Sequence, residues 1–147
     1  MKREIEFRGQ KADNKEWVYG YLVCIPDGDS FDCYIISDFD ERDSIYDLWK
    51  YAIKVIPETV GQYTGIKDKN GKKVYFGDII KSITLDTNTE QLAVVGFGKF
   101  IDENNDDEYL GFYIEFDGFR TTITQLEMEE VKDRFEVIGT VFDKKGE

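Results

Sequence analysis

Residues 59–81 carry the densest turn chemistry in the chain. They run Thr59-Val60-Gly61-Gln62-Tyr63-Thr64-Gly65-Ile66, then Lys67, then Asp68-Lys69-Asn70-Gly71, Lys72-Lys73-Val74-Tyr75-Phe76 and Gly77-Asp78. Asp favours the first position of a tight turn, and Asn and Gly tolerate positive φ toward its end. The segment therefore reads as a short strand over 62–66, a turn over 68–71 and a returning strand over 72–76. Gly77-Asp78 makes a second tight turn that launches a strand over 79–84. Two turns this close fold the chain into a compact corner, with the rest of the molecule built on either side.

The flanking sequence continues in short strands. Ile5 and Phe7 alternate with Glu4, Glu6 and Arg8, the period of a half-buried strand over 2–9. A second strand, over 17–25, is rich in aromatic and β-branched residues, and Gly20 marks a bulge or a close backbone approach. Pro26-Asp27-Gly28-Asp29-Ser30 turns the chain into a strand over 31–37. With Gly28 and Asp29 at the tip, Cys24 falls directly opposite Cys33.

An acidic, looplike run over 38–44 precedes Ile45, Leu48 and Trp49, which fall at helical spacing with Asp43 or Ser44 available as N-cap. A helix of two or three turns fits, and so does an ordered loop dropping Trp49 into the core. Pro57 ends the next strand, over 51–56.

The second half adds strands over 91–98, 111–116, 119–122 and 135–142, with a short helical or irregular piece within 123–134. Gly96 and Gly98 suggest the bends that small barrels need at corners. The fold expected is mainly β, with a β-rich N-terminal part over 1–58 and an SH3-like small barrel over 59–147.

Composition narrows the chemistry. The 147 residues suit one domain or two small ones, and 41% hydrophobic content with 15% aromatics is enough for a core. No run approaches the ~18 apolar residues of a membrane span. Met1-Lys2-Arg3-Glu4 turns polar where a signal peptide needs an apolar stretch, so a cytoplasmic location is expected. The chain has no histidine, which removes the usual general base and the commonest metal ligand. A net charge of −12 argues against a sequence-independent duplex binder and admits an acidic imitation of nucleic acid. In a reducing cytosol Cys24 and Cys33 are expected as two free, half-buried thiols, with a redox pair as the alternative.

No residue stands out as catalytic or metal-binding, and no cofactor is indicated. Asp102, Asn104 and Asp106 fall at the first, third and fifth positions of a calcium loop. Asp107 then stands where glycine is needed and Tyr113 where a bidentate Glu is needed, so the run reads as a solvated loop. Asp78 reads as a turn residue bonding its own backbone. Gly61 and Gly65 lack the rest of a phosphate loop. What remains is Lys67, Lys69, Lys72 and Lys73 around Asp68, a net +3 over residues 67–73. They form either a solvated tip whose like charges discourage edge pairing, or a docking surface for an acidic protein or a phosphate backbone. Tyr63 and Tyr75, if exposed, would add stacking.

The run over 59–71 with Tyr75-Phe76-Gly77-Asp78-Ile79-Ile80-Lys81 resembles the hallmark of the YopX family, small proteins of phages and prophages. Arg3-Glu4-Ile5-Glu6-Phe7-Arg8-Gly9, Trp17-Val18-Tyr19-Gly20 and Phe135-Glu136-Val137-Ile138-Gly139-Thr140-Val141 resemble its opening and closing segments. The tail from Asp143 departs from the family's usual ending. The resemblance implies a mainly β fold with an SH3-like second part, expressed in the host cytoplasm during phage development. It brings no catalytic or binding residue. The first expectation for function is a non-enzymatic accessory module that binds a host or phage protein, often as a homo-oligomer. A nucleic-acid-associated protein or an acidic decoy of a nucleic-acid enzyme comes second, and a carboxylate-metal enzyme last.

Overall fold

Turn chemistry and alternation organise the chain into short strands joined by tight connections. The computed structural model describes residues 4–37, 42–83, 88–129 and 131–143. The start of the acidic run (38–41), part of the loop before β8 (84–87) and the tail from 144 lie outside them. The described residues form eleven strands and three 3₁₀ turns, in two compact units, Met1–Tyr63 and Thr64–Glu147. The strands are β1 (Phe7–Gln10), β2 (Trp17–Asp27), β3 (Ser30–Ile36), β4 (Ala52–Val55), β5 (Gly61–Lys67), β6 (Lys73–Tyr75), β7 (Asp78–Ile83), β8 (Glu90–Ile101), β9 (Glu108–Phe116), β10 (Phe119–Thr122) and β11 (Phe135–Thr140).

In the first unit the strand order is β4-β3-β2-β1-β5, each strand antiparallel to its neighbours. Gly28 and Asp29 do form the β2–β3 tip, between the paired Asp27 and Ser30, and Cys24 faces Cys33. Gly20 is where β2 leaves β1 for β3. Its φ is +156°, and a Cβ there would stand 2.1 Å from the carbonyl oxygen of Ile36. Of the two readings open in the sequence, this is the close approach. The core gathers Cys33, Ile35 and Val55, with Phe7, Val18, Leu22 and Val60 packed against them. Ile45–Tyr51 is a 3₁₀ helix that buries no residue, capped by Ser44 Oγ accepting from Tyr46 N–H. Trp49 does not enter the core. It is 52% exposed and meets Tyr34 edge-on, ring centroids 5.2 Å apart.

The second unit opens on the last residues of β5, where Thr64 Oγ donates to the Val74 carbonyl of β6. Its five-stranded sheet runs β10-β9-β8-β7-β11. Val74, Ile80, Ala93, Val95, Ile114, Ile123, Leu126 and Phe135 make its core. The expected SH3-like barrel is not formed, because neither sheet closes on itself. Closure would need β10 and β11 to pair, and each has its outer edge engaged elsewhere. Thr122 N–H of β10 donates to Asp102, and Glu103 N–H donates to the Arg120 carbonyl. On β11, Val137 N–H donates to Asp68, and Lys69 N–H donates to the Phe135 carbonyl. Aspartate-anchored loops hold the places that a closing strand would take.

The glycines read as barrel corners serve other ends. Gly96 is covered by the Tyr113 ring, whose nearest atom lies 2.4 Å from where a Cβ would be. Arg120 stacks on that same ring, 4.6 Å from its centroid. Its guanidinium pKa is held above the ordinary value, first by the hydrogen bond to Glu115 and then by Tyr113.

Candidate docking surface

The basic turn is built from the backbone outward. Asp68 N–H donates to the Lys72 carbonyl at 2.8 Å, and Gly71 N–H donates back to the Asp68 carbonyl at 2.9 Å. Gly71 sits at φ +80°, a conformation that glycine adopts without steric cost. The Asp68 carboxylate then fixes the loop internally: one oxygen accepts from Asn70 N–H at 2.8 Å and from Lys72 N–H at 2.9 Å. The other oxygen accepts from Val137 N–H at 2.9 Å. With three backbone donors on one carboxylate, burial of Asp68 to 6% exposure is compensated by charge-assisted bonds.

This arrangement decides what the turn shows to solvent. Lys67, Lys69 and Lys72 are exposed, and Lys73 is half-buried at the start of β6. The Asp68 carboxylate is withdrawn into the fold, and Glu136 of β11 reaches the turn, its Oε2 accepting from Asn70 Nδ2 at 3.5 Å. Tyr63 and Tyr75 are 5% and 3% exposed, and neither presents a ring face for stacking. The sequence expectation holds the lysines and tyrosines together as one surface. The structure supplies the lysines alone.

The other carboxylates singled out in the sequence are also engaged by the backbone. Asp78 is fully buried and accepts from Tyr75 N–H at 2.8 Å, the turn role expected of it. Asp102 is 3% exposed and accepts from Asn104 N–H at 2.7 Å and Thr122 N–H at 3.1 Å. It is a fastening between a loop and a strand, not the first ligand of a cation loop. Among the described residues no group of three or more His, Cys, Asp or Glu side chains is placed to hold a metal ion.

Two features departed from sequence reasoning or escaped it. Cys24 and Cys33 are joined in a disulfide, where two free thiols are the first expectation. Their directly opposed register, legible from the hairpin tip, is what brings them together. The second is an exposed face at the far end of β8 and β9, carrying Phe97, Ile101 and Leu110 at 53%, 58% and 70% exposure, while Phe100 on the opposite face is buried against Tyr109 and Tyr113. Its only sequence signal is apolar residues continuing on both sides of the Gly-Phe-Gly run at 96–98.

The family model described as YopX protein matches residues 6–145. No curated protein matches the chain. Among solved structures, the chain is similar to the crystal structure of protein EF1440 from Enterococcus faecalis, at 22% identity and a TM-score of 0.52. That likeness covers 94% of this chain and 93% of the other, and it concerns the fold.

Proposed function

The chain belongs to the YopX family of phage and prophage proteins, and on that premise we propose that it is a non-enzymatic accessory module that binds a host or phage protein through the basic turn at 67–73. The supporting observation is the Asp68 carboxylate, which holds the turn at three backbone N–H groups while Lys67, Lys69 and Lys72 stand in solvent. A loop ordered before contact loses less conformational freedom on binding, so more of the contact energy appears as affinity. Three clustered ammonium groups on a chain of net charge −12 make a local positive site in a negative field. Such a site favours an acidic patch on another protein and sets the orientation of approach.

The buried tyrosines leave the turn without the stacking faces that would favour a nucleic acid over an acidic protein patch. The setting proposed is the host cytoplasm. Among the described residues no helix is long and apolar enough to cross a membrane. The test is affinity capture from nuclease-treated extracts of phage-infected cells, comparing wild type with Lys67→Glu/Lys69→Glu/Lys72→Glu. A protein retained by the wild type and lost by the variant supports the reading. A salt-sensitive shift of DNA or RNA that the same substitutions abolish replaces it with the nucleic-acid alternative.

A further inference from the structure

Among the described residues, the outer edge of β8 at 97–101 has no strand paired to it, whereas several other edges of the fold are occupied. In the first unit the outer side of β4 is taken by Lys11 and Ala12, the latter donating its N–H to the Lys54 carbonyl at 3.0 Å. The edges of β10 and β11 are held by the Asp102 and Asp68 loops. β8 is different. Its ladder with β7 ends at Ile79↔Val94, and Gly77 N–H donating to the Val95 carbonyl is the last main-chain bond on that side among the described residues. The strand continues to Ile101, paired with β9 without a register break from Val94↔Glu115 to Ile101↔Glu108.

Alternation fixes which groups face outward. Hydrogen-bonding direction and side-chain direction both reverse at each residue of a strand. Because Val95 points its carbonyl toward β7, the main-chain groups of Phe97, Lys99 and Ile101 point to that same side, and their side chains share one face. All three residues are exposed. Gly98, paired with Gly111, leaves the backbone bare, since an added Cβ at either would meet nothing within 4 Å. An edge with outward N–H and C=O groups and alternating apolar side chains is a template for another strand.

We propose that the β8 edge at residues 97–101 takes an extended segment of a partner protein, added antiparallel to the sheet, that carries an acidic residue between two apolar ones at i−2 and i+2. In such pairing the apolar residues fall opposite Phe97 and Ile101 and the acid falls opposite Lys99, where opposite charges stabilise a cross-strand pair. The same lysine rejects a second copy of this chain. The self-pairing register of greatest overlap sets Lys99 against the other copy's Lys99, and like charges directly opposed are destabilising. This surface is separate from the basic turn, so either can fail without the other.

The test uses the full chain and the synthetic peptide acetyl-Thr-Val-Thr-Glu-Thr-Val-Thr-amide, with a control peptide in which Lys replaces Glu. Residue-resolved NMR should show the amides of Phe97, Lys99 and Ile101 shifting and gaining hydrogen-exchange protection with the Glu peptide. The Lys peptide should bind more weakly by about threefold or more. Lys99→Glu, at an exposed position, should reverse that order, while reversal of Lys67, Lys69 and Lys72 should leave the shifts at these three amides in place. Three results overturn the proposal: no change at these amides up to the solubility limit of the Glu peptide; equal response to both peptides; or protection of the same amides that grows with protein concentration alone, which assigns the edge to a second copy.

Discussion

Asp68 Oδ2 accepts a hydrogen bond from Val137 N–H at 2.9 Å across 69 residues of sequence. That bond joins a surface turn to an edge strand, and it leads to the first expectation. Removing the carboxylate by Asp68→Ala leaves three backbone donors without it in a site that is nearly closed to water. The cost should be about 3 kcal/mol, measured by urea unfolding. Asp68→Asn retains one carbonyl oxygen of the same shape and should lose roughly half as much.

The Gly77 turn should be intolerant of any side chain. Its φ of +89° is strained for other residues, and a Cβ would lie 2.6 Å from the Phe142 ring. Gly77→Ala should cost about 2 kcal/mol in the same assay. Trimming Phe142 to Leu in that background should recover the part due to contact and leave the part due to backbone strain. Equal stability of wild type and Gly77→Ala would contradict the turn geometry.

The disulfide closes a short hairpin loop in the first unit. Reduction, or Cys24→Ser with Cys33→Ser, should lower the stability of that unit by about 2 kcal/mol through the greater freedom of the unfolded chain. Thiol alkylation followed by mass measurement, with and without reductant, reports the pairing directly. Two thiols that label without reductant would contradict it.

Asp102 should behave as a structural residue. Asp102→Ala should destabilise the second unit by about 2 kcal/mol, since two backbone donors lose their acceptor. Added calcium should leave the melting temperature of the wild type unchanged. A rise with calcium that Asp102→Ala abolishes would restore the cation reading.

Local rules made most of the fold legible. Alternation and Asx-Gly turns located most of the strands to within a few residues, placed Gly28 and Asp29 at the hairpin tip, and identified Asp78 as a turn residue. The first strand, expected over 2–9 (residues 1–3 lie outside the described ones), is found at Phe7–Gln10, with Arg8 buried and Ile5 exposed. What they could not supply was long-range partnership. Asp68 looks like an exposed turn residue until Val137 is known to lie beside it, and Tyr63 and Tyr75 look available until the packing around them is known. The barrel expectation failed for the same reason. Glycines 96 and 98 do signal bends in small barrels, but here one lies beneath the Tyr113 ring and the other stands in open space. The helical spacing of Ile45, Leu48 and Trp49 did mark a helix, of the 3₁₀ type. Its amphipathic pattern is too short to bury a face, so Trp49 stays at the surface.

The most direct measurement of the central proposal is the salt dependence of partner retention by the basic turn. Proteins captured from nuclease-treated extracts of phage-infected cells by the wild type should include one that is released as ionic strength rises, because screening weakens exposed charge pairs. Lys67→Glu/Lys69→Glu/Lys72→Glu, which removes the lysines but leaves the Asp68 bonds in place, should fail to retain it at any salt concentration. Equal retention by the variant, or capture that vanishes with nuclease treatment, would contradict the proposal that this turn docks a protein.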